Sequence, residues 1–153
     1  HYAALTDRYS LRRATEGCYA IVHLAPIPNP HHGTEKMFDT NVTGTQFVLE
    51  AAEAQGIKRV ALASSCCAFG LVFAKHQFDP EYFPVDEKHP DKPQDLYGLS
   101  KVINEQTAAA YSRRTGMTTV ALRLTLVVTL TGEHPHWRKR MLMHSHQWRS
   151  PEF

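Results

Sequence analysis

Three runs of apolar, β-favouring residues alternate along the chain with stretches whose apolar positions recur at helical spacing. The runs are Cys18 to Ala25, Arg59 to Ser65 and Thr118 to Leu124. Short, nearly continuous apolar runs of this kind predict strands covered on both faces. Pro26, Pro28 and Pro30 forbid continuation of the first. Between the first two runs, Phe38, Val42, Phe47, Val48, Ala51 and Ala52 predict a long helix from Glu35 to Gln55, closed by Gly56. Between the last two, Tyr97 to Thr115 reads as a helix with Gly116 just past its end. A shorter helix, Ser10 to Gly17, carries Leu11 and Ala14 and precedes the first strand.

Strands that alternate with helices need right-handed crossovers, which predicts a parallel sheet with helices on both faces. A long loop rich in proline and aromatic residues, Cys67 to Asp95, interrupts the pattern, and loops of that length inside a domain are usually functional. After Thr129 the signal weakens: Gly132 and Pro135 precede a mixed stretch, His136 to Trp148, that can form one amphipathic helix. No internal repeat or low-complexity segment is present.

With 153 residues, 42% of them apolar, the chain can bury one sizeable core. Its 17 basic and 15 acidic residues are interspersed and leave a formal charge of +2, so no basic stripe points to a nucleic acid or an anionic membrane. No apolar stretch approaches the roughly 20 residues that span a bilayer, and the first residues do not read as a signal peptide. Cys18, Cys66 and Cys67 are odd in number and two are adjacent. A reducing cytoplasm is therefore expected, with all three as small buried residues. Four histidines in the tail, His134, His136, His144 and His146, form two His-x-His pairs without nearby carboxylate or cysteine partners, and no metal is assigned to them.

The chemistry points to Tyr97-Gly98-Leu99-Ser100-Lys101. A phenol and an ammonium four residues apart at a helix start share one face. A cation there is expected to lower the phenol from its ordinary pKa of about 10 toward the working range of a general acid or base. Ser64 and Ser65 end a predicted parallel strand, and ligands of open α/β sheets bind beyond such strand ends. A hydroxyl there can hold a substrate oxygen while the tyrosine moves its proton.

With these pieces stand Leu5-Thr6-Asp7, His23-Leu24-Ala25, Asn41-Val42-Thr43-Gly44-Thr45, Ala63-Ser64-Ser65 followed by Gly70, and Pro84-Val85-Asp86-Glu87. In order and approximate spacing over residues 5 to 125 the set resembles the extended short-chain dehydrogenase/reductases, or NAD-dependent epimerase/dehydratase family. The resemblance implies a partial Rossmann-like, doubly wound α/β/α fold without its first two strands. Residues 1 to 130 would form the dinucleotide-binding domain and 131 to 153 the start of a substrate-binding region. It implies that Ser65, Tyr97 and Lys101 are catalytic. Leu5, Leu24, Ala25, Asn41, Ala63 and Ser64 would join Tyr97 and Lys101 around NAD or NADP. The substrate would be a sugar or nucleotide-sugar, handled by a dehydrogenase or an epimerase, with a homodimer possible in the full-length form; a nucleotide-sensing protein without catalysis is the rival reading.

Alternative roles stand beside these. Asn41 can bridge local backbone, His23 reads as a packed core histidine, and Asp86-Glu87 as residues that order the long loop. The chain also departs from the family. None of its eight glycines has the Gly-x-x-Gly-x-x-Gly spacing that admits a pyrophosphate, so weak dinucleotide binding and an inactive fragment are expected. Ala4 replaces an adenine-binding aspartate, Leu126 an asparagine, and Cys66-Cys67 the Asp-Glu pair of sugar 4,6-dehydratases. Strands near residues 20, 60 and 120 should form the parallel core, with the segment Tyr2 to Leu5 displaced from it or paired wrongly.

Overall fold

In the computed structural model, residues 2–27, 34–125 and 127 are described. The elements run α1 (Arg8–Ala14), β1 (Ile21–His23), α2 (Thr34–Ala54), β2 (Arg59–Ser65), a 3-10 turn (Cys66–Phe69), α3 (Leu96–Thr115) and β3 (Thr118–Leu124). The sheet is parallel in the order β1-β2-β3. Ile21 lies beside Val60, and Val60 beside Thr119.

Local chemistry fixes the element ends. Asp7 caps α1 by accepting from the amides of Tyr9 and Ser10, which starts this helix two residues earlier than the apolar pattern suggests. Asp95 caps α3, and Gly116 ends it with φ 69°, a left-handed value that favours glycine. β2 and β3 keep the predicted limits. β1 shrinks to three residues, and Tyr19, which the pattern places in the strand, is exposed with Arg59 over its ring.

The core lies between the sheet and the α2–α3 pair. Leu49 and Ala52 from α2, Val60 and Leu62 from β2, and Ala108 and Tyr111 from α3 meet Ile57 and Met117 in one buried cluster. Each large aliphatic side chain there stabilises the fold by about 1.5–3 kcal/mol relative to exposure. Leu11 of α1 packs on Val48 and Ala51 of α2, with Ala3 and Leu5 against them. The first segment thus lies off the sheet, as expected, and rests on α2.

Burial on both faces of the sheet does not hold among the described residues. Val22 is 67% exposed, Leu24 66%, and Val120 and Leu122 49% each. Their alternate neighbours His23, Ser64, Thr119 and Arg123 face α2 and α3 and bond to them. The described helices therefore cover one side of the sheet. The cysteine reading also needs correction, because Cys18 is exposed, Cys66 half-buried and only Cys67 buried. The predicted helix His136 to Trp148, the tail histidines, Leu126 and the region 131–153 lie outside the described residues. No described helix is long and apolar enough to cross a membrane.

Candidate active site

β2 delivers Ser65 at its C-terminal end in extended conformation, φ −152° and ψ 149°. The Ser65 hydroxyl accepts from the Cys67 amide at 3.2 Å, so it caps the 3-10 turn while remaining beside the sheet end. α3 delivers Tyr97 in its first turn and Lys101 one turn later. Asp95 orients that first turn by accepting from the Gly98 amide at 2.8 Å. A methyl at Gly98 would lie 2.5 Å from the Cys67 carbonyl oxygen, so glycine is what lets α3 approach the turn behind Ser65.

Lys101 is 1% exposed. Its Nζ donates to the Ala63 carbonyl at 2.8 Å and lies 5.2 Å from the centre of the Tyr97 ring. The Tyr97 phenol lies close enough to Ser65 for the serine hydroxyl to favour its ionised form. Phenol, ammonium and strand-end hydroxyl therefore meet at one place, as their sequence positions suggest. The Phe73 ring meets the Tyr97 ring edge-on at 6.5 Å.

The electrostatics differ from the sequence expectation. Burial raises the Tyr97 pKa above its ordinary value; the hydrogen bond from Ser65 opposes the rise, and the neighbouring Cys67, Cys66 and Asp95 add to it. Lys101 does not set the phenol low in this arrangement. Its own pKa is pushed down to about 8 by burial, against the attraction of Cys67 and Glu105. Within the cysteine pair, hydrogen bonding from Cys67 holds the Cys66 thiol low, while the Cys66 contact and burial hold Cys67 high.

The other sequence candidates are placed differently. Asn41, 1% exposed, clamps the backbone after β1: its Oδ1 accepts from the Ile27 amide at 2.7 Å and its Nδ2 donates to the Ile27 carbonyl at 3.1 Å. The backbone bridge that one of its two readings describes is thus present. Ser64 points away from Ser65, because neighbouring strand residues face opposite sides, and it donates to Glu105 on α3. Leu5 packs against Gly44. Leu24 and Ala25 lie exposed beyond β1, and Ala63 takes part through its carbonyl.

His23 is a packed histidine, with Nε2 3.1 Å from Thr45 Oγ1. Thr45 spends its proton on the Asn41 carbonyl at 2.7 Å, so the imidazole N–H must be the donor of that pair. Asp86 orders the loop, accepting from Tyr82 OH at 2.7 Å and the Lys88 amide at 2.9 Å. His89, buried against Phe69 and Tyr82, bridges the Glu81 amide at 3.0 Å and the Pro90 carbonyl at 3.1 Å.

Sequence reasoning missed Glu105 and Arg123. Glu105 could have been found as the residue one turn beyond Lys101 on the same helix face, whereas nothing local marks Arg123 as its partner. A small cavity beside them is lined by His23, Thr45, Ser64, Asn104 and Glu105. The Asn104 Oδ1 atom is buried with no protein partner. Among the described residues, no group of three or more His, Cys, Asp or Glu side chains could hold a metal.

The sequence pattern of the NAD dependent epimerase/dehydratase family matches residues 1–148. An NAD-dependent glucose-6-phosphate dehydrogenase of Haloferax volcanii is 31% identical over 140 residues, 88% of this chain and 52% of that protein. A UDP-glucose 4-epimerase of Rhizobium meliloti is 37% identical over 107 residues, 68% of this chain and 30% of that protein. The chain thus spans about half the length, or less, of the curated relatives it matches. Among solved structures, a short-chain dehydrogenase/reductase superfamily protein from Agrobacterium tumefaciens with bound NAD superposes with a TM-score of 0.70 at 34% identity. That superposition covers 79% of this chain and 35% of the other.

Proposed function

The chain belongs to the NAD dependent epimerase/dehydratase family, and on that premise we propose that the whole protein is an NAD(P)-dependent oxidoreductase acting on a carbinol carbon of a sugar or nucleotide-sugar. The observation that carries the reading is the meeting of Ser65, Tyr97 and Lys101 at the C-terminal end of a parallel strand. Relatives named as glucose-6-phosphate, uronate and arabinose dehydrogenases support the substrate class.

The residues present fit the nicotinamide end of a dinucleotide. Lys101 gives one of its three N–H groups to Ala63, which leaves donors for ribose hydroxyls. Exposed Leu24 and Ala25 offer an apolar strand end beside them. A bound dinucleotide supplies the hydride chemistry. In this reading Ser65 donates to the substrate oxygen and holds it at the phenol. Tyr97 takes the hydroxyl proton in oxidation and returns it in reduction. Its raised pKa keeps it protonated in the absence of ligands, and Lys101 opposes loss of charge balance when the phenolate forms.

In the full-length protein, Tyr97→Phe should lower turnover roughly 100-fold or more while leaving NAD affinity unchanged. Wild-type turnover in that variant removes the mechanism. Epimerisation is the second reading, favoured by the UDP-glucose 4-epimerase relatives. Net NADH release from glucose 6-phosphate or a uronate supports a dehydrogenase, whereas UDP-glucose interconversion without NADH release supports an epimerase. The full-length enzyme is proposed to work in the cytoplasm as a homodimer, to be checked by light scattering.

A further inference from the structure

Glu105 sits one turn beyond Lys101 on α3, and its carboxylate gathers groups from two strands. Ser64 Oγ donates to Oε1. Arg123 donates through Nε to Oε1 at 3.0 Å and through Nη2 to Oε2 at 2.7 Å. The same guanidinium reaches Asp91 of the long loop, Nη2 to Oδ2 at 3.0 Å and Nη1 to Oδ1 at 2.8 Å, and lies 4.6 Å from the centre of the Phe69 ring. One carboxylate and one guanidinium thus tie together the ends of β2 and β3, the body of α3, the 3-10 turn and the loop.

We infer that Glu105 and Arg123 are positioning residues for the reaction, their paired fork fixing α3 against the end of β2 and so setting how far Ser65 stands from Tyr97 and Lys101. The inference rests on the oxidoreductase reading. Lys101 and Glu105 grip consecutive strand residues, the Ala63 carbonyl and the Ser64 hydroxyl. Because Ser64 and Ser65 face opposite sides, holding Ser64 from the helix side sets the direction of the Ser65 hydroxyl on the other. The fork geometry is specific, since a planar guanidinium matches a carboxylate with two parallel bonds that an ammonium cannot reproduce. Neither residue touches the reacting atoms. The Glu105 carboxylate has a second effect, favouring the charged form of Lys101 one turn away.

The test compares Glu105→Gln, Arg123→Lys and Ser64→Ala with wild type. A sub-ångström displacement of reacting groups costs on the order of ten- to a hundredfold in kcat, and that loss is expected in Glu105→Gln and Arg123→Lys, with KM for sugar held within about threefold. Ser64→Ala, which cuts the strand end of the tie alone, is the mild variant that stays informative if the others do not fold, and it should lower kcat by several-fold. Isotope-labelled lysine followed by NMR across pH supplies the reading independent of turnover: Lys101 should titrate lower in Glu105→Gln than in wild type. A merely structural role weakens stability without separating kcat from KM.

Wild-type kcat in folded variants overturns the inference. If wild type shows no NAD(P)-dependent turnover, the oxidoreductase reading fails on its own. The tie is then judged by NMR of the Ser65 and Tyr97 amides, and unmoved signals in folded Ser64→Ala and Glu105→Gln overturn it.

Discussion

Replacing Gly98 with alanine should destabilise the protein, although the same change in an ordinary helix stabilises it. Alanine in a helix interior gains about 1 kcal/mol over glycine. At residue 98 the added Cβ would lie 2.5 Å from the Cys67 carbonyl oxygen and 3.0 Å from both Asp95 Oδ2 and Pro93 Cβ. Carbon and oxygen settle no closer than roughly 3.3 Å, so the 3-10 turn must retreat. It cannot do so freely, because the Cys67 carbonyl accepts from the Gly70 amide at 3.0 Å and the Cys67 amide is held by Ser65. Overpacking against fixed backbone costs about 1–3 kcal/mol, and disturbing the Asp95 cap adds about 1 kcal/mol. After the propensity gain, a net loss of about 1–3 kcal/mol is left. Urea unfolding measures it directly. Ala110→Gly, at an exposed position of the same helix, calibrates propensity and should lose about 1 kcal/mol. A Gly98→Ala protein more stable than wild type would refute the argument that α3 and the turn are in backbone contact.

Three further outcomes are expected. Burial, helped by the Lys101 charge, lowers the His23 pKa to about 4 from 6.5; the unfolded chain then takes up this proton first as pH falls. Stability should drop between those two values and level off below, by roughly 3 kcal/mol in all; His23→Leu should flatten that part of the pH profile. Lys101→Met should raise stability at neutral pH by about 1–2 kcal/mol while removing turnover, because it relieves a desolvated ammonium at the loss of one bond to Ala63. With Lys101 held at about 8 against 10.5, the wild-type unfolded chain keeps its proton longer, so wild-type stability should rise with pH across that window and the variant should lack the rise. Asn41→Ala strips both amide partners from Ile27 and should cost about 2–3 kcal/mol, with faster hydrogen exchange at the Ile27 amide.

The strands β2 and β3 were legible because their apolar runs are bounded by Gly56 and Gly116 and lie fully paired in the sheet. α2 and α3 were legible for a similar reason, their periodicity and stop signals agreeing. β1 was overextended, since a β-forming composition cannot tell a paired residue from Tyr19, which leaves the sheet to meet Arg59. Burial on both faces was inferred from hydrophobic continuity alone, and continuity says what a face would prefer, not what covers it. Within the site, Ser65, Tyr97 and Lys101 could be found because spacing along one helix and the end of one strand is local information. The Ser64, Glu105 and Arg123 contacts join residues 18 to 41 positions apart, and only the folded chain reveals them. The phenol was expected low from its charged neighbour, but the Lys101 ammonium is turned to a carbonyl and burial dominates the phenol.

Tyr97, Lys101 and Glu105 ride on a single rod, and Ser64 and Ser65 on a single rail beside it. Their mutual spacing reduces to one mechanical variable, the sliding of rod along rail, and each bond between the two acts as a stop on that motion. Within residues 71 to 94, Phe73 meets the Tyr97 ring, Pro93 packs beside Gly98 and Asp91 reaches the Arg123 stop, so change in that loop is bounded by those three contacts.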